Sequence, residues 1–342
     1  MTDTIPSFSL PKINRQLLLA LRPKGTPQSA DFAYVEAALP ICAEGRFLVR
    51  NLYLSADPVQ RGWAANEAVT PLGVTMRALA VGIVVESHEP SVKPGEIVYG
   101  YFGWQDYAVA AREDLLSHIG KPRVAVSAYA GVLGMPGVTA WLALLDLAPP
   151  KPGDRVLVST AAGSVGSVVG QIARQRGAIV TGLTGSDEKV GRCLERYGYS
   201  AAYNYKKVDL AQTFAQAAPE GFDIFFDNTG GPILDTAIRA MKRRGRIVQC
   251  GTAATASWSP PPTGLRNERE MLTRALIWSG FVIFDHIERF GEAVEALTDL
   301  MLAGHLAHDE DIETGIKRAP DALAAMMTGA NNGKKLIYIG DD

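Results

Sequence analysis

Between Pro152 and Ala173 an apolar run, Arg155-Val-Leu-Val-Ser159, passes through short residues, Thr160-Ala-Ala-Gly-Ser-Val-Gly166, directly into a segment with apolar residues at helical spacing. Few folds accommodate this. A strand that opens into a helix through a turn without bulky side chains is the first βα unit of a doubly wound sheet. Gly163 and Gly166 let the backbone turn tightly and let a pyrophosphate approach the free N–H groups of the helix start, whose dipole favours anions. Gly170 permits close packing of the helix on its strand. The pattern is not a strict GxGxxG, because Ala161 stands where a glycine often does. A purely structural βα turn uses the same small residues; the strand before it, the helix after it and repetition of the unit downstream favour dinucleotide binding.

That repetition is plain in Ala178-Ile-Val-Thr-Gly182, Phe222-Asp-Ile-Phe-Phe226, Arg246-Ile-Val-Gln-Cys250 and Gly280-Phe-Val-Ile-Phe284, apolar runs separated by helical stretches. Continuous apolar strands between helices predict a parallel sheet covered on both faces. Before residue 125 the signals are short strands, Gly45 to Ser55, Ala78 to Glu86 and Glu96 to Tyr99, punctuated by Pro and Gly. The tail ends in Lys335-Leu-Ile-Tyr-Ile339, a strand with no following helix that can return to the β-rich half. The expected architecture is α/β, with a β-rich domain over residues 1–127 joined by 299–342 and a dinucleotide domain over 128–298; 342 residues suit two domains.

A formal charge of -2, with Lys and Arg spread along the chain, provides no basic stripe for nucleic acid. Met1 to Pro11 lack the pattern of a secretory signal and no apolar run reaches bilayer length, so a cytoplasmic protein with no membrane partner is expected. Cys42, Cys193 and Cys250 are far apart, and the five histidines form no HExxH pair. No metal is expected.

In an NAD enzyme the second strand usually ends in an Asp or Glu that accepts from the ribose hydroxyls and repels a phosphate. Here the strand runs into Leu-Thr-Gly-Ser-Asp-Glu-Lys189. Gly185 and Ser186 leave room, and Lys189 in the next helical turn supplies a cation for a 2′-phosphate, which favours NADPH over NADH. Asp187 and Glu188 work against this, and Lys189 alone reads equally as an exposed helix lysine. Hydride transfer is done by the nicotinamide, so the protein has mainly to position a substrate and stabilise developing charge. Candidate polar groups are Tyr53, Tyr205, Asn228 and Thr252, since strand ends carry the sites of open α/β sheets. Asn228, in Asp227-Asn-Thr-Gly-Gly231, has the best position.

Asn14-Arg-Gln16, Asn51-Leu-Tyr-Leu-Ser-Ala-Asp-Pro58 with Arg61, Gly103-Trp-Gln-Asp-Tyr107, Leu133-Gly-Met-Pro-Gly-Val-Thr-Ala140, the Ala161 to Ala173 turn, Glu188-Lys189, Asn204-Tyr-Lys206, Phe226-Asp-Asn-Thr-Gly-Gly231, Gly280-Phe-Val-Ile-Phe-Asp285 and Asn331-Asn-Gly-Lys334 occur in that order. In these motifs the chain resembles the zinc-independent medium-chain dehydrogenases/reductases that include prostaglandin and leukotriene reductases, 2-alkenal double-bond reductases and curcumin-type reductases. The resemblance spans almost the whole chain. It implies a GroES-like domain, formed by the β-rich half, and a Rossmann domain. Gly163, Ser164, Val165 and Gly166 would hold the pyrophosphate, and Lys189 and Tyr205, beside Gly185 and Ser186, the 2′-phosphate. Met135, Thr139, Asn228, Cys250, Gly251, Thr252, Phe281, Val282, Ile283 and Asn331 would complete the cofactor site. Tyr53 would orient the substrate or stabilise its enolate, although a half-buried strand tyrosine is the rival reading.

The implied reaction moves a hydride from NADPH to the β-carbon of an α,β-unsaturated aldehyde or ketone, with protonation at the α-carbon. Arg77-Ala-Leu-Ala-Val-Gly82 contains no Glu or His to replace the zinc ligands of alcohol dehydrogenases, which agrees with a metal-free enzyme. Two departures concern the pocket: Asp57-Pro-Val-Gln-Arg61 stands where Asp-Pro-Tyr-Met-Arg is usual, and Ser257-Trp-Ser259 where many members carry Tyr-Asn. Trp258 either caps the substrate site or simply packs. Ser279-Gly280 replaces a common Gln-Gly. A homodimer joined through Phe281 to Phe284 is also implied. A quinone reductase and a catalytically silent NADPH-binding regulator are the alternative functions.

Overall fold

The computed structural model describes residues 10–255 and 260–340. The chain divides into two units, Met1–Gly134 with Asp309–Asp342, and Met135–His308. The sequence places these divisions at 127/128 and 298/299. The first of those points falls inside a helix, Val126–Ala130, that packs on the β-rich sheet, and the second inside a continuous helix, Phe290–Leu302, that packs on the helix Met135–Leu147. Each helix stays whole with the partners it packs on.

The second unit is a six-stranded parallel sheet: β1 (Arg155–Ser159), β2 (Ile179–Thr184), β3 (Ala201–Asn204), β4 (Phe222–Asp227), β5 (Met241–Gln249) and β6 (Ile277–Gly280). Their spatial order is β3-β2-β1-β4-β5-β6, so the chain reverses its direction of growth between β1 and β4. This is the Rossmann order, and the reversal creates a crevice beyond the carboxyl ends of the central strands. Phe225, flanked by buried Ile224 and Phe226, packs with Leu157, Phe214, Phe222 and Ile247 in one core cluster, as expected for a strand covered on both faces.

Close approach explains two glycines here. The helix Gly166–Gln175 is amphipathic, and a Cβ at Gly170 would lie 2.2 Å from the Tyr199 ring. From the sequence this glycine fits against its strand; in the structure the ring of Tyr199 fills the gap between helix and sheet, and a Cβ at Gly182 of β2 would come within 3.0 Å of the same ring. The Tyr199 hydroxyl donates to the carbonyl of Gly166 at 2.7 Å, tying this wedge to the helix start.

The first unit holds a two-stranded antiparallel sheet, Ile13–Leu19 with Phe32–Ala38, and a seven-stranded sheet built around Phe47–Ser55, which pairs antiparallel with Ala80–Ser87, with Tyr107–Ala110 and with the tail strand Lys334–Tyr338. The tail therefore returns to the β-rich half, as expected. Its anchor is buried. Lys334 donates through Nζ to Asp57 Oδ1 at 2.7 Å and to the carbonyl of Ala56 at 2.6 Å, while Ser55 Oγ donates to Asp57 Oδ2 at 2.6 Å. Nearby, Arg50 is fully buried between Asp106 and the face of Tyr107.

Removing one member of a buried ion pair leaves the other desolvated and unpaired. Lys334→Met should lower unfolding stability by about 3–5 kcal/mol, whereas Asp57→Asn combined with Lys334→Met should lose less than that single change. Urea denaturation followed by tryptophan fluorescence checks both, with Asp57→Asn measured alone as well; a double-variant loss equal to the sum of the two single losses would show that the pair is not coupled.

Candidate functional site

The carboxyl ends of β1, β4 and β5 converge on one fully buried side chain, Asp227, the last residue of β4. Ser159 Oγ at the end of β1 donates to its Oδ1 at 2.7 Å, Thr229 N to the same oxygen at 2.9 Å, Gly230 N to Oδ2 at 2.9 Å and Gln249 Nε2 at the end of β5 to Oδ2 at 2.9 Å. A buried carboxylate with this many donors is satisfied, and it fixes the spacing of three strand ends. Asn228 is held through both of its nitrogens: its backbone N–H donates to Ser159 Oγ and its Nδ2 to the Ser159 carbonyl, each at 2.8 Å. Cys250 and Gly251 donate their backbone N–H groups to the carbonyl of Asp227. Burial first, then neighbouring Asp227, push the Cys250 thiol up to about 12, so it is a neutral packing group here.

At the end of β1 the glycine turn is shaped by contact. A Cβ at Gly166 would lie 2.3 Å from the Thr160 carbonyl, and one at Gly163 would lie 2.8 Å from the Thr160 side chain. Gly163, Ser164 and Val165 are partly exposed ahead of the helix Gly166–Gln175, so the helix start stays open to an anion. Thr160 itself has φ 53°, a left-handed conformation costly for a β-branched residue, and its hydroxyl meets that of Thr229 at 3.0 Å.

Beyond β2 lies a cationic cluster. Ser186 caps the helix Asp187–Glu195 by accepting from Lys189 N at 3.3 Å, so it serves the helix as well as leaving room. A Cβ at Gly185 would have the Tyr205 hydroxyl at 3.4 Å and Lys206 Nζ at 3.6 Å, which puts those two side chains directly over the Gly185 backbone. Burial, reinforced by Arg192 and Lys206 and opposed by Glu188, holds the Lys189 ammonium below the usual lysine range, as expected where cations crowd together. Asp187, the residue most at odds with a phosphate here, is turned to other partners: it pairs with Lys207 and accepts from Asn204 at 2.8 Å. Those hydrogen bonds, Lys207 first, hold its carboxyl below the usual range.

The remaining residues singled out by sequence are spread over both units. Met135 and Thr139 are buried on the helix Met135–Leu147, and Thr252 is exposed beyond β5. Phe281 and Ile283 are buried while Val282 points outward; Phe281 stacks on His286 at 4.8 Å and 4°. Asn331 and Tyr53 belong to the first unit: Asn331 Nδ2 donates to the Gly333 carbonyl at 2.6 Å, and Tyr53, half-buried between buried Leu52 and Leu54, packs on the Tyr338 ring at 4.9 Å. Trp258 lies outside the described residues. Sequence reasoning missed Ser159, Asp227, Gln249 and Lys206; the signal available was a polar residue closing each of three apolar strands, and a second lysine in Asn204-Tyr-Lys206.

A family model described as the N-terminal domain of oxidoreductase matches residues 15–117, and one described as zinc-binding dehydrogenase matches residues 164–299. The chain is 38% identical over 334 residues to a putative NADP-dependent oxidoreductase, YfmJ, of Bacillus subtilis (strain 168), covering 96% of this chain and 98% of the relative. It is 33% identical to an NADP(+)-dependent 2-alkenal reductase of Nicotiana tabacum, over 95% of this chain and 97% of that protein. Crystal structures of CurA from Vibrio vulnificus, one of them in complex with NADPH, align at a TM-score of 0.87 and 34% identity over 95% of this chain, covering 98% and 99% of theirs.

If the cations beyond β2 read a 2′-phosphate, Lys189→Ala should weaken NADPH binding by about 10–100-fold and NADH binding by no more than about twofold, with Lys206→Ala acting in the same direction. Fluorescence titration with each nucleotide measures both; parallel losses would remove the phosphate-reading role.

Proposed function

The chain belongs to the zinc-independent medium-chain dehydrogenase/reductase family, and from that premise we propose that it reduces the C=C bond of α,β-unsaturated aldehydes and ketones with NADPH. The observation that carries the reading is the strand-end constellation of the second unit: an open glycine turn at Gly163–Gly166, the Asp227-anchored loops at Asn228 and Cys250–Thr252, and the cations at Lys189 and Lys206. These residues fit a dinucleotide with a 2′-phosphate. Relatives of similar length add the substrate class, among them the 2-alkenal reductase and an NADPH-dependent curcumin reductase of Escherichia coli (strain K12), 34% identical over 96% of this chain.

When bound, NADPH supplies the hydride. The protein's own task is to hold both reactants, exclude water and stabilise the oxygen that gains charge as the β-carbon is reduced. Met135, Thr139, Asn228, Cys250, Gly251, Thr252, Phe281, Val282, Ile283 and Asn331 are assigned to the cofactor in this reading, with Asn228 the polar group best fixed in place. Tyr53 is assigned to the substrate oxygen as a hydrogen-bond donor. Packing on Tyr338 limits its ring motion, which suits a donor that must be aimed in advance. Trp258 is assigned to the substrate pocket as a cap, in place of the tyrosine of the family's Tyr-Asn pair.

The reading includes a homodimer. The sequence joins it through Phe281 to Phe284, but the last strand is β6, Ile277–Gly280, and Ile283–Arg289 is a helical turn; β6 ends the sheet, and on and just after it Ile277, Trp278 and Val282 are 55%, 46% and 53% exposed, an apolar edge suited to a second copy. Trp278→Lys should then shift the protein to monomer in light scattering, and an unchanged mass would move the interface elsewhere. The reading also includes a cytoplasmic location, which the three free cysteines suit.

The activity test is the fall in NADPH absorbance with a panel of 2-alkenals, aryl enones and quinones, NADH run alongside. Turnover of enals or enones with NADPH is the expected result, and Tyr53→Phe should lower kcat by about 10–1000-fold with the NADPH affinity unchanged. Consumption with quinones alone would replace this function with quinone reduction; tight NADPH binding without turnover would leave a regulator.

A further inference from the structure

Away from the nucleotide site, one group of side chains among the described residues has the composition and spacing of a metal centre. Cys42, Glu86 and His88 present one ligand atom each, all within 4.8 Å of one another. The group belongs wholly to the first unit, and it is built rather than accidental. Glu86 and His88 flank Ser87, the last residue of the strand Ala80–Ser87, so their alternate positions put both side chains on one face. His88 Nε2 stands 3.0 Å from Glu86 Oε1. Cys42 comes from the loop before Phe47–Ser55, and that loop is tied to His88 through the backbone: His88 N donates to the Arg46 carbonyl at 2.8 Å, and Gly45 N to the His88 carbonyl at 3.2 Å. The Cys42 thiol donates to the same Arg46 carbonyl at 3.4 Å.

Exposure is graded across the three: Cys42 is buried against Leu48 and Tyr107, Glu86 is half-buried and His88 is exposed. An ion would enter from the His88 side and be stopped by the thiol. We propose that Cys42, Glu86 and His88 form a binding site for a divalent transition ion of the zinc type, with a water completing the tetrahedron. Thiolate, imidazole and carboxylate together select zinc over calcium or magnesium, which take oxygen ligands. Binding breaks the Cys42 S–H bond, releases that proton to solvent and forms the S–metal bond, with no change of oxidation state.

The site has no part in hydride transfer. In the register of the sheet Glu86 lies opposite Leu48 while Tyr53 lies opposite Val81, so the two positions sit at opposite ends of the strand pair, about 16 Å apart at the usual rise per residue. Its effect is to pin the loop carrying Cys42 to the end of a central strand. The inference is independent of the proposed reduction, and its readouts do not require turnover.

Cobalt(II) serves as the spectroscopic probe and zinc as the competing ion, both added to the full chain after chelator treatment. The expected result is one equivalent of cobalt with a thiolate-to-metal charge-transfer absorption, displaced by zinc and abolished in Cys42→Ser. His88→Ala should weaken cobalt binding by at least about tenfold, as loss of one ligand from such a set requires. Circular dichroism verifies that each variant is folded. Cobalt binding without the charge-transfer band, a band that survives Cys42→Ser, or no binding would each overturn the proposal.

Discussion

Everything at the nucleotide end of the second unit depends on one carboxylate. Asp227 receives Ser159 and Gln249 from the neighbouring strands and two backbone N–H groups from the turn that follows it. A parallel sheet has no hairpins to register its strand ends, and ladder hydrogen bonds stop where the strands stop. The buried hub takes over there. Gln249 carries the link one strand further, since its Oε1 accepts from Trp278 Nε1 of β6 at 3.2 Å. Loops that would otherwise vary independently, at Thr160, Asn228 and Gly251, are thus presented as one surface. The cost of leaving any of these groups unpaired in a buried site is what makes the arrangement rigid.

Much of this was legible in the sequence because the signals are local. The small residues from Thr160 to Gly166 mark the turn whatever surrounds them, and the central apolar runs mark buried strands; the last run does not, because the strand is Ile277–Gly280, largely exposed, and a helical turn, Ile283–Arg289, takes up the end of Gly280–Phe284. The hub was not legible, because Ser159, Asp227 and Gln249 are separated by 68 and 22 residues and meet only when β1, β4 and β5 lie side by side. Lys206 was missed for the same reason: its nearness to Gly185 exists only because β3 pairs with β2. Gly170 was recognised as a close-packing position, yet its partner is a ring from Tyr199, which no local pattern reveals.

The charges beyond β2 are arranged in a way that a count along the sequence does not reveal. Asp187 and Glu188 precede Lys189 and, counted as charges, they cancel it. In the fold Asp187 is engaged by Lys207 and Asn204, and Glu188 pairs with Arg192 at 3.0 Å one helical turn on. Both acids pair with neighbours and help to order the helix start, although Glu188 still acts on Lys189, while Lys206 lies over Gly185 and its charge also reaches Lys189.

The strand Lys334–Tyr338 lies between Phe47–Ser55 and Glu310–Thr314, in the middle of the first unit's sheet rather than at its rim. On a ribosome the first unit is thus the last to be finished. Its early strands emerge first but have to wait, with one edge open, until the whole nucleotide-binding unit has been made. During that interval the side of Phe47–Ser55 that Lys334–Tyr338 will cover is unpaired, and Asp57 has yet to meet its lysine. A nascent chain of this kind has its greatest need of protection before the tail arrives, because the nested connectivity completes the first unit's sheet only after the second unit has been made.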